Sequence, residues 1–423
     1  MDIKIPDIRI KGFNEEWLER ELGAVAEVKT GPFGSSLHAE AYVEHGHAII
    51  TTEHFKSGEL PIDKKGIPQV CDEDYVRLKA YLLKTGDIVF SRVGSVDINA
   101  HVTDLQDGWL FSGRVLRVRS NDSIDSEYLH HELSTSRVRK SVVSRAVGQT
   151  MPSINTEILK ITPIHYPVDK TEQAVIGNTF QKLDSLINQH QQKHDKLINL
   201  KKAMLEKMFP KQGETVPEIR FKGGSSEWED IGLLECIERI IDFRGRTPKK
   251  LGLDWSPSGY RALSALNVKQ GYIDFSIDPH FGDQELYDKW MSGSELHQGQ
   301  VLFTTEAPMG NVAQVPNADK YILSQRTIAF VVKPKVITDV FLAVLLRSPK
   351  VFRELSALSS GGTAKGVSQK VLANLNVLIP NDLDEQTQIG NYFQKLDSLI
   401  NQHQQQITKL NNIKQACLSK MFV

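Results

Sequence analysis

The sequence predicts an α+β protein built by tandem duplication: two mixed α/β domains separated by two long antiparallel, coiled-coil-like helices. Three observations predict it. The chain restarts near its midpoint, one thirteen-residue stretch occurs twice letter for letter, and each copy lies in a long proline-free segment with apolar residues at alternating three- and four-residue spacing.

The restart pairs IPDIRIKGFNEEW (Ile5 to Trp17) with VPEIRFKGGSSEW (Val216 to Trp228), 211 positions later. FQKLDSLINQHQQ at Phe180 to Gln192 returns at Phe393 to Gln405, now 213 later, and each copy runs on to a closing Lys-Met-Phe. Between these anchors the halves diverge, yet Gly86 still aligns with Gly299, Phe90 with Phe303, Leu129 with Leu342 and Leu159 with Leu372. A duplication that keeps its spacers while its middles drift suggests one scaffold carrying two different readers.

From Glu172 to Phe209 the stripe runs Phe180, Leu183, Ile187, His190, His194, Leu197, Lys201, Met204, Met208. The second copy gives Phe393, Leu396, Ile400, His403, Ile407, Leu410, Lys414, Cys417, Met421. At about 1.5 Å per residue each helix would span ~57 Å. A narrow amphipathic rod is marginal alone in water, so the expected partner is the other copy. Only Pro210 to Thr215 separate the first helix from the second restart, so the second helix must run back along the first. The expected pairing residues are Phe180, Leu183, Ile187, His190, Leu197 and Met204 against Phe393, Leu396, Ile400, His403, Ile407 and Leu410. The two stripe lysines would set register at some cost in stability. His190 and His194 share a helical face, but the second copy has Ile407 for His194, so a polar layer is expected there and no metal.

These readings divide the chain into a first reader (1–168), a first spacer (169–215), a second reader (216–381) and a second spacer (382–423). In the readers, strands are expected at Asp87 to Ser91, Val115 to Val118, Val301 to Thr305 and Thr327 to Val332. Helices are expected from Glu127 to Val143 and from Val340 to Leu358, the latter interrupted at Pro349. Ile161 to Tyr166 and Leu375 to Ile379 read as closing strands.

A hydrophobic fraction of 40% with 24% charged residues fits a soluble globular chain. No run of 18 apolar residues and no signal-like start are present, so no membrane and a cytoplasmic location are expected. Cys71, Cys236 and Cys417 are far apart and suggest neither disulfides nor a zinc knuckle. A net charge of −1 argues against coating nucleic acid by charge alone, so any DNA contact must use local patches. Pro6-Asp7 with Glu27-Val28-Lys29 loosely imitates a metal-dependent nuclease, but the second half has Glu238 and Ile240 in the equivalent places. Methyltransferase tetrapeptides of the NPPY or DPPY kind, a phosphate loop and a GxSxG elbow are all absent from the sequence, so no catalytic residue is expected.

Gly-, Ser- and Thr-rich loops let backbone amides approach phosphates, and Arg, Asn and Gln can read base edges. The candidate DNA-contacting residues of the first half are Thr30, Gly31, Ser35, Ser36, Arg92, Ser95, Arg114, Gln149, Thr150, Ser153 and Asn155. Those of the second half are Arg244, Arg246, Thr247, Lys249, Asn311, Arg326, Thr363, Lys365 and Ser368. Basic clusters lie alongside at Arg137, Arg139, Lys140 and Arg145, then Arg347, Lys350 and Arg353.

The repeated P-[DE]-I-R-[IF]-K-G…E-W opening, the TGPFGSSL and DFRGRTP loops, and EQ-x2-IG-x2-FQKLDSLI leading into a long helix resemble Type I restriction-modification specificity subunits over the whole chain. The resemblance implies two target-recognition domains that each read one half of an asymmetric split site in double-stranded DNA. It implies that the helices also dock two modification subunits, which use S-adenosylmethionine to methylate adenine at N6. Restriction subunits would supply ATP- and Mg2+-dependent translocation and cleavage, and this chain would hold no cofactor. A stand-alone bipartite DNA-binding regulator or scaffold is the alternative.

Overall fold

A computed structural model describes residues 5–32, 42–224, 226–278, 280–359 and 366–423. The chain forms two compact units, one of Met1–His190 with Gln406–Val423 and one of Gln191–Gln405.

In the first unit, β1 (Ala26–Thr30), β2 (Ile88–Ser91), β3 (Asn99–His101) and β4 (Val115–Ser120) form an antiparallel sheet in the order β1-β4-β2-β3. Every residue of the central strand β2, Ile-Val-Phe-Ser, is buried, as expected of a strand covered on both faces. A second sheet places His47–Ile50 parallel to Leu110–Phe111 and antiparallel to Gln69–Val70. A ribbon of Leu18–Glu21 with Pro163–Tyr166 ties the start of the mixed domain to its end.

Helices α1 (Ser126–Leu133), α2 (Ser136–Arg145) and α3 (Thr156–Lys160) each begin on a side-chain cap, from Asp125, Thr135 and Asn155 respectively. The sequence pattern predicts a single helix from Glu127 to Val143. The chain breaks at Ser134 instead, because Thr135 Oγ1 accepts the Val138 N–H and starts a new helix. The spacer helix α4 (Lys170–Lys207) follows without interruption.

The second unit repeats this topology. Strands β5 (Ile237–Asp242), β6 (Val301–Thr304), β7 (Val312–Gln314) and β8 (Thr327–Val332) lie in the order β5-β8-β6-β7. Tyr260–Leu263 runs parallel to Tyr321–Leu323, and a ribbon joins Glu229–Gly232 to Asn376–Ile379. Helices α5 (Asp339–Leu345), α6 (Pro349–Leu358) and α7 (Gln369–Ala373) are capped by Thr338, Ser348 and Ser368, and α8 (Leu383–Lys420) closes the chain. Pro349 starts α6, where its missing N–H costs no intrahelical bond.

Within each unit a segment of α4 and a segment of α8 pair antiparallel. In the first, Lys414 meets Asp184 at 2.5 Å and Phe422 meets Phe180 with ring centroids 5.5 Å apart. In the second, Lys201 meets Asp397 at 2.5 Å and Phe209 meets Phe393 at 6.4 Å. Advancing along one helix therefore means retreating along the other. The stripe positions from Phe180 to Met208 and from Phe393 to Met421 are all buried or half-buried, while most residues between them face water. Among the described residues no helix is long and apolar enough to cross a membrane.

Candidate nucleic-acid interface

The repeated motifs are the joints between each mixed domain and its long helix. Arg9 donates two parallel hydrogen bonds of 2.7 Å to Glu172, and Arg220 does the same to Glu385 at 2.6 and 2.7 Å. The neighbouring glutamines are equally committed. Gln173 accepts the Asp125 N–H at 2.7 Å and donates to the Pro167 carbonyl at 2.8 Å. Gln386 accepts from Thr338 at 2.9 Å and donates to Pro380 at 2.8 Å.

Gly177 and Gly390 let the first turns of α1 and α5 press against the spacers. A Cβ there would lie 2.9 Å from the Tyr128 nitrogen and 2.6 Å from the Val340 carbonyl carbon. The Lys-Met-Phe ends complete each joint: Phe422 packs edge-on against Trp17 in the first unit, and Phe209 against Trp228 in the second. The scaffold is therefore fixed identically twice, which leaves the loops at the far end of each main sheet to differ.

In the first unit those loops converge on Arg92. Its guanidinium donates to Thr30 Oγ1 at 3.2 Å, to the Gly113 carbonyl at 3.0 Å and to the Ile154 carbonyl at 3.2 Å. Its backbone pairs with Arg114 and Ile154. One arginine thus gathers the segments holding Thr30, Ser95, Arg114 and Ser153. Arg92 acts as an internal strut here rather than reaching outward.

Gly31 is buried too, and a Cβ there would come 2.1 Å from the Ser112 carbonyl oxygen, so this glycine serves a close backbone approach. Ser153 is half-buried and its hydroxyl turns back to the Val147 carbonyl, while Asn155 caps α3 through Oδ1. Ser95, Arg114, Gln149 and Thr150 are exposed on the cluster. Ser35 and Ser36 lie outside the described residues.

The second unit gathers its loops by different chemistry. Arg244 is held by Asp242 and donates to the Val367 carbonyl at 3.3 Å; Thr305 pairs with both Arg326 and Val367 through the backbone. The Arg246 guanidinium lies over the Phe243 ring at 4.3 Å. Thr247 and Ser368 cap short helices, and Asn311 donates to the Val268 carbonyl at 2.9 Å. Lys249 and Arg326 are exposed, Arg326 at φ 63° and 3.2 Å from Glu306. Thr363 and Lys365 lie outside the described residues.

Beside these loops opens a cleft of about 460 Å3 lined by Lys249, Trp255, Asp278, Gln325 and Arg326 among others. Trp255, Asp278 and Gln325 escaped the sequence reading because nothing in their spacing marks them; an aromatic ring beside basic and amide groups is the only available signal.

The basic clusters separate in the same way. Arg139, Lys140, Arg145 and Arg353 are exposed, whereas Arg137 pairs with buried Glu132 and donates to the Val423 carbonyl at 2.8 Å. Arg347 pairs with Asp397. Burial pushes the Glu132 carboxyl up to about 7, against the pull of Arg137.

A twice-built α+β scaffold with matching joints and dissimilar loop clusters defines a tandemly duplicated protein with one constant frame and two different loop surfaces. The chain belongs to the family described as Type I restriction modification DNA specificity domain, whose model matches residues 14–199 and again 232–412. It is a DNA-recognition component of such systems and not their catalyst. The putatively assigned type I restriction enzyme MjaX specificity subunit of Methanocaldococcus jannaschii is 25% identical over 91% of this chain and 88% of its own length. The MjaVIII specificity subunit of the same organism is 25% identical over 69% and 68%. The solved S subunit of a Type-I restriction-modification system from M. genitalium is 14% identical, with a TM-score of 0.64 over 99% of both chains, a likeness of fold.

Proposed function

We propose that this specificity subunit recognises a bipartite, asymmetric site in double-stranded DNA. A reader spanning 1–168 takes one half, a reader spanning 216–381 takes the other, and the spacers 169–215 and 382–423 set the gap between them. On this reading two modification subunits, using S-adenosylmethionine, methylate adenine at N6. Restriction subunits using ATP and Mg2+ translocate and cleave.

The observation that carries the reading is the contrast between joints repeated bond for bond and loop clusters that share position but not chemistry. Arg9–Glu172 and Arg220–Glu385 are the same contact, whereas Arg92 and the Arg244–Asp242 pair are different solutions to gathering loops. Unbroken 38-residue helices support the ruler role of the spacers.

The test is to sequence methylated adenines in DNA exposed to the chain with its co-purified partners, before and after exchanging Phe13 to Ile164 for another reader. A split motif is expected, with one half changed by the exchange. A contiguous motif, or a change in both halves, overturns the proposal. Tight binding of a split site by the chain without modification subunits would favour a stand-alone regulator.

A further inference from the structure

The two units carry cavities at equivalent positions with different linings. In the second, a cavity of about 440 Å3 is lined by Gly271, Gln314, Val340, Ala343, Arg347 and Asp397. In the first, a cavity of about 280 Å3 is lined at equivalent positions by Gly58, His101, Glu127, His130 and Asp184. The pair Ala343-Val344 of one half is His130-His131 in the other, while the aspartate is retained.

We propose that the His130–His131–Asp184 cluster is a site for a divalent transition-metal ion of the zinc class, pinning α1 of the first reader to α4. One potential ligand atom from each residue lies within 4.8 Å of the others. Zinc bonds of ~2.0–2.2 Å place tetrahedral ligand atoms ~3.4 Å apart, so closure asks for movements of roughly an ångström.

The second observation is His131 itself: it is 1% exposed, and neither ring nitrogen makes a hydrogen bond. An imidazole buried with neither nitrogen in a formed hydrogen bond loses the hydration of both. A metal would satisfy one nitrogen. Glu127 Oε1, 3.3 Å from Nε2, is placed to hold the other.

His130 is prepared for ligation by its neighbours. Asn99 Nδ2 donates to Ser134 Oγ at 3.1 Å, which turns Asn99 Oδ1 toward His130 Nδ1 at 2.6 Å. The proton therefore belongs on Nδ1 and the lone pair on Nε2, the arrangement in which a second-shell partner orients a ligating histidine. Burial depresses both imidazoles, His131 to about 4, so each is neutral and able to ligate at pH 7.

The charge around the cluster suits a dication. Glu59, Glu127 and Asp184 stand near it against the cations of Lys414 and Arg139, and Lys414 takes Asp184 Oδ1 and leaves Oδ2. Burial raises the Glu59 and Glu127 carboxyls, a penalty that a bound cation would relieve.

Chelator-treated full-length chain titrated with Co2+ should develop visible absorption bands at one ion per chain, displaced by Zn2+, and Zn2+ should raise its melting temperature. Replacing His130→Ala together with His131→Val installs the residues of the second half, and should weaken Co2+ binding about a hundredfold and abolish the Zn2+-dependent melting shift. Asp184→Asn, which keeps the side-chain shape, should weaken binding about tenfold and serves if the double variant does not fold. His190→Gln with His194→Gln should leave the bands unchanged. Bands that survive the substitutions at 130, 131 and 184, or wild-type chain that takes up no ion, would overturn the site.

Discussion

Lys201 Nζ lies 2.5 Å from Asp397 Oδ1, and the other copy repeats the contact with Lys414 and Asp184, also at 2.5 Å. Each stripe lysine therefore has an anionic partner on the opposing helix, which offsets the cost expected of a charge in an apolar seam. The copies then differ, because Asp397 also holds Arg347 while Ser134 stands at the equivalent place in the first half. Lys201→Met should thus cost only about 1 kcal/mol, since Arg347 still neutralises Asp397, whereas Asp397→Ala should cost about 3–5 kcal/mol by leaving two half-buried cations unpaired. Urea unfolding of the full chain, followed by circular dichroism, measures both. Equal losses in the two variants would mean the aspartate does not serve two partners.

The arginine shared by both restart motifs predicts that geometry, and not charge alone, holds the joint. Arg9 grips Glu172 with two parallel bonds, a geometry that a lysine ammonium cannot reproduce. Arg9→Lys should therefore loosen the N-terminal strap by about 1–2 kcal/mol. The Ile8 amide, which donates to the Lys420 carbonyl at 2.8 Å, reports this directly. Its hydrogen exchange should quicken about tenfold in Arg9→Lys while amides of β2 stay as protected as in the unaltered chain. Unchanged exchange at Ile8 would show that the strap is held by other contacts.

The scaffold was legible because it is written twice. Identity of Phe180–Gln192 with Phe393–Gln405, the three-four spacing and the short link at Pro210 to Thr215 were enough to expect two antiparallel partners, and the strands differ from expectation by a residue or two at most ends. The break at Thr135 was not legible, since a single capping hydroxyl inside an otherwise periodic run decides it. Residue roles within the loops were hidden for a related reason. Arg92 and Arg114 look alike in sequence, and only the fold brings Thr30, Gly113 and Ile154 to one of them. The His130–His131 pair was visible as a dipeptide, but Asp184, Glu127 and Asn99 reach it from separate segments that no local pattern connects.

Acid should destabilise the first unit through His131. Burial lowers its folded pKa to about 4 from 6.5, so between those values only the unfolded chain binds the proton, and the stability present above pH 6.5 is lost as pH falls toward 4. That difference corresponds to about 3 kcal/mol for a single group. Glu132 acts in the opposite sense, because its folded pKa near 7 lies above 4.5 and folding takes up a proton between them. The His131 contribution is isolated by comparing the chain with His131→Val in the presence of chelator. The gap in unfolding free energy between the two proteins should shift in favour of the variant by a few kcal/mol from pH 7 to pH 4.5. A gap independent of pH would place the titration elsewhere.

Arg114 and Arg92 should respond to truncation in different currencies. Arg114 is exposed on the loop cluster, with its backbone carbonyl accepting the Arg92 N–H at 3.0 Å and its side chain directed away from the core. An arginine in that position can form bidentate bonds to a guanine edge worth about 1–3 kcal/mol of discrimination. Arg114→Ala should therefore relax one position in one half of the methylated motif while leaving the melting temperature unchanged. Arg92→Ala removes three bonds that tie separate loops together, so it should lower the melting temperature and reduce methylation at every site alike. Motif sequencing paired with thermal denaturation distinguishes them. If Arg92→Ala relaxed a single base while Arg114→Ala unfolded the reader, the division between strut and contact residue would be reversed.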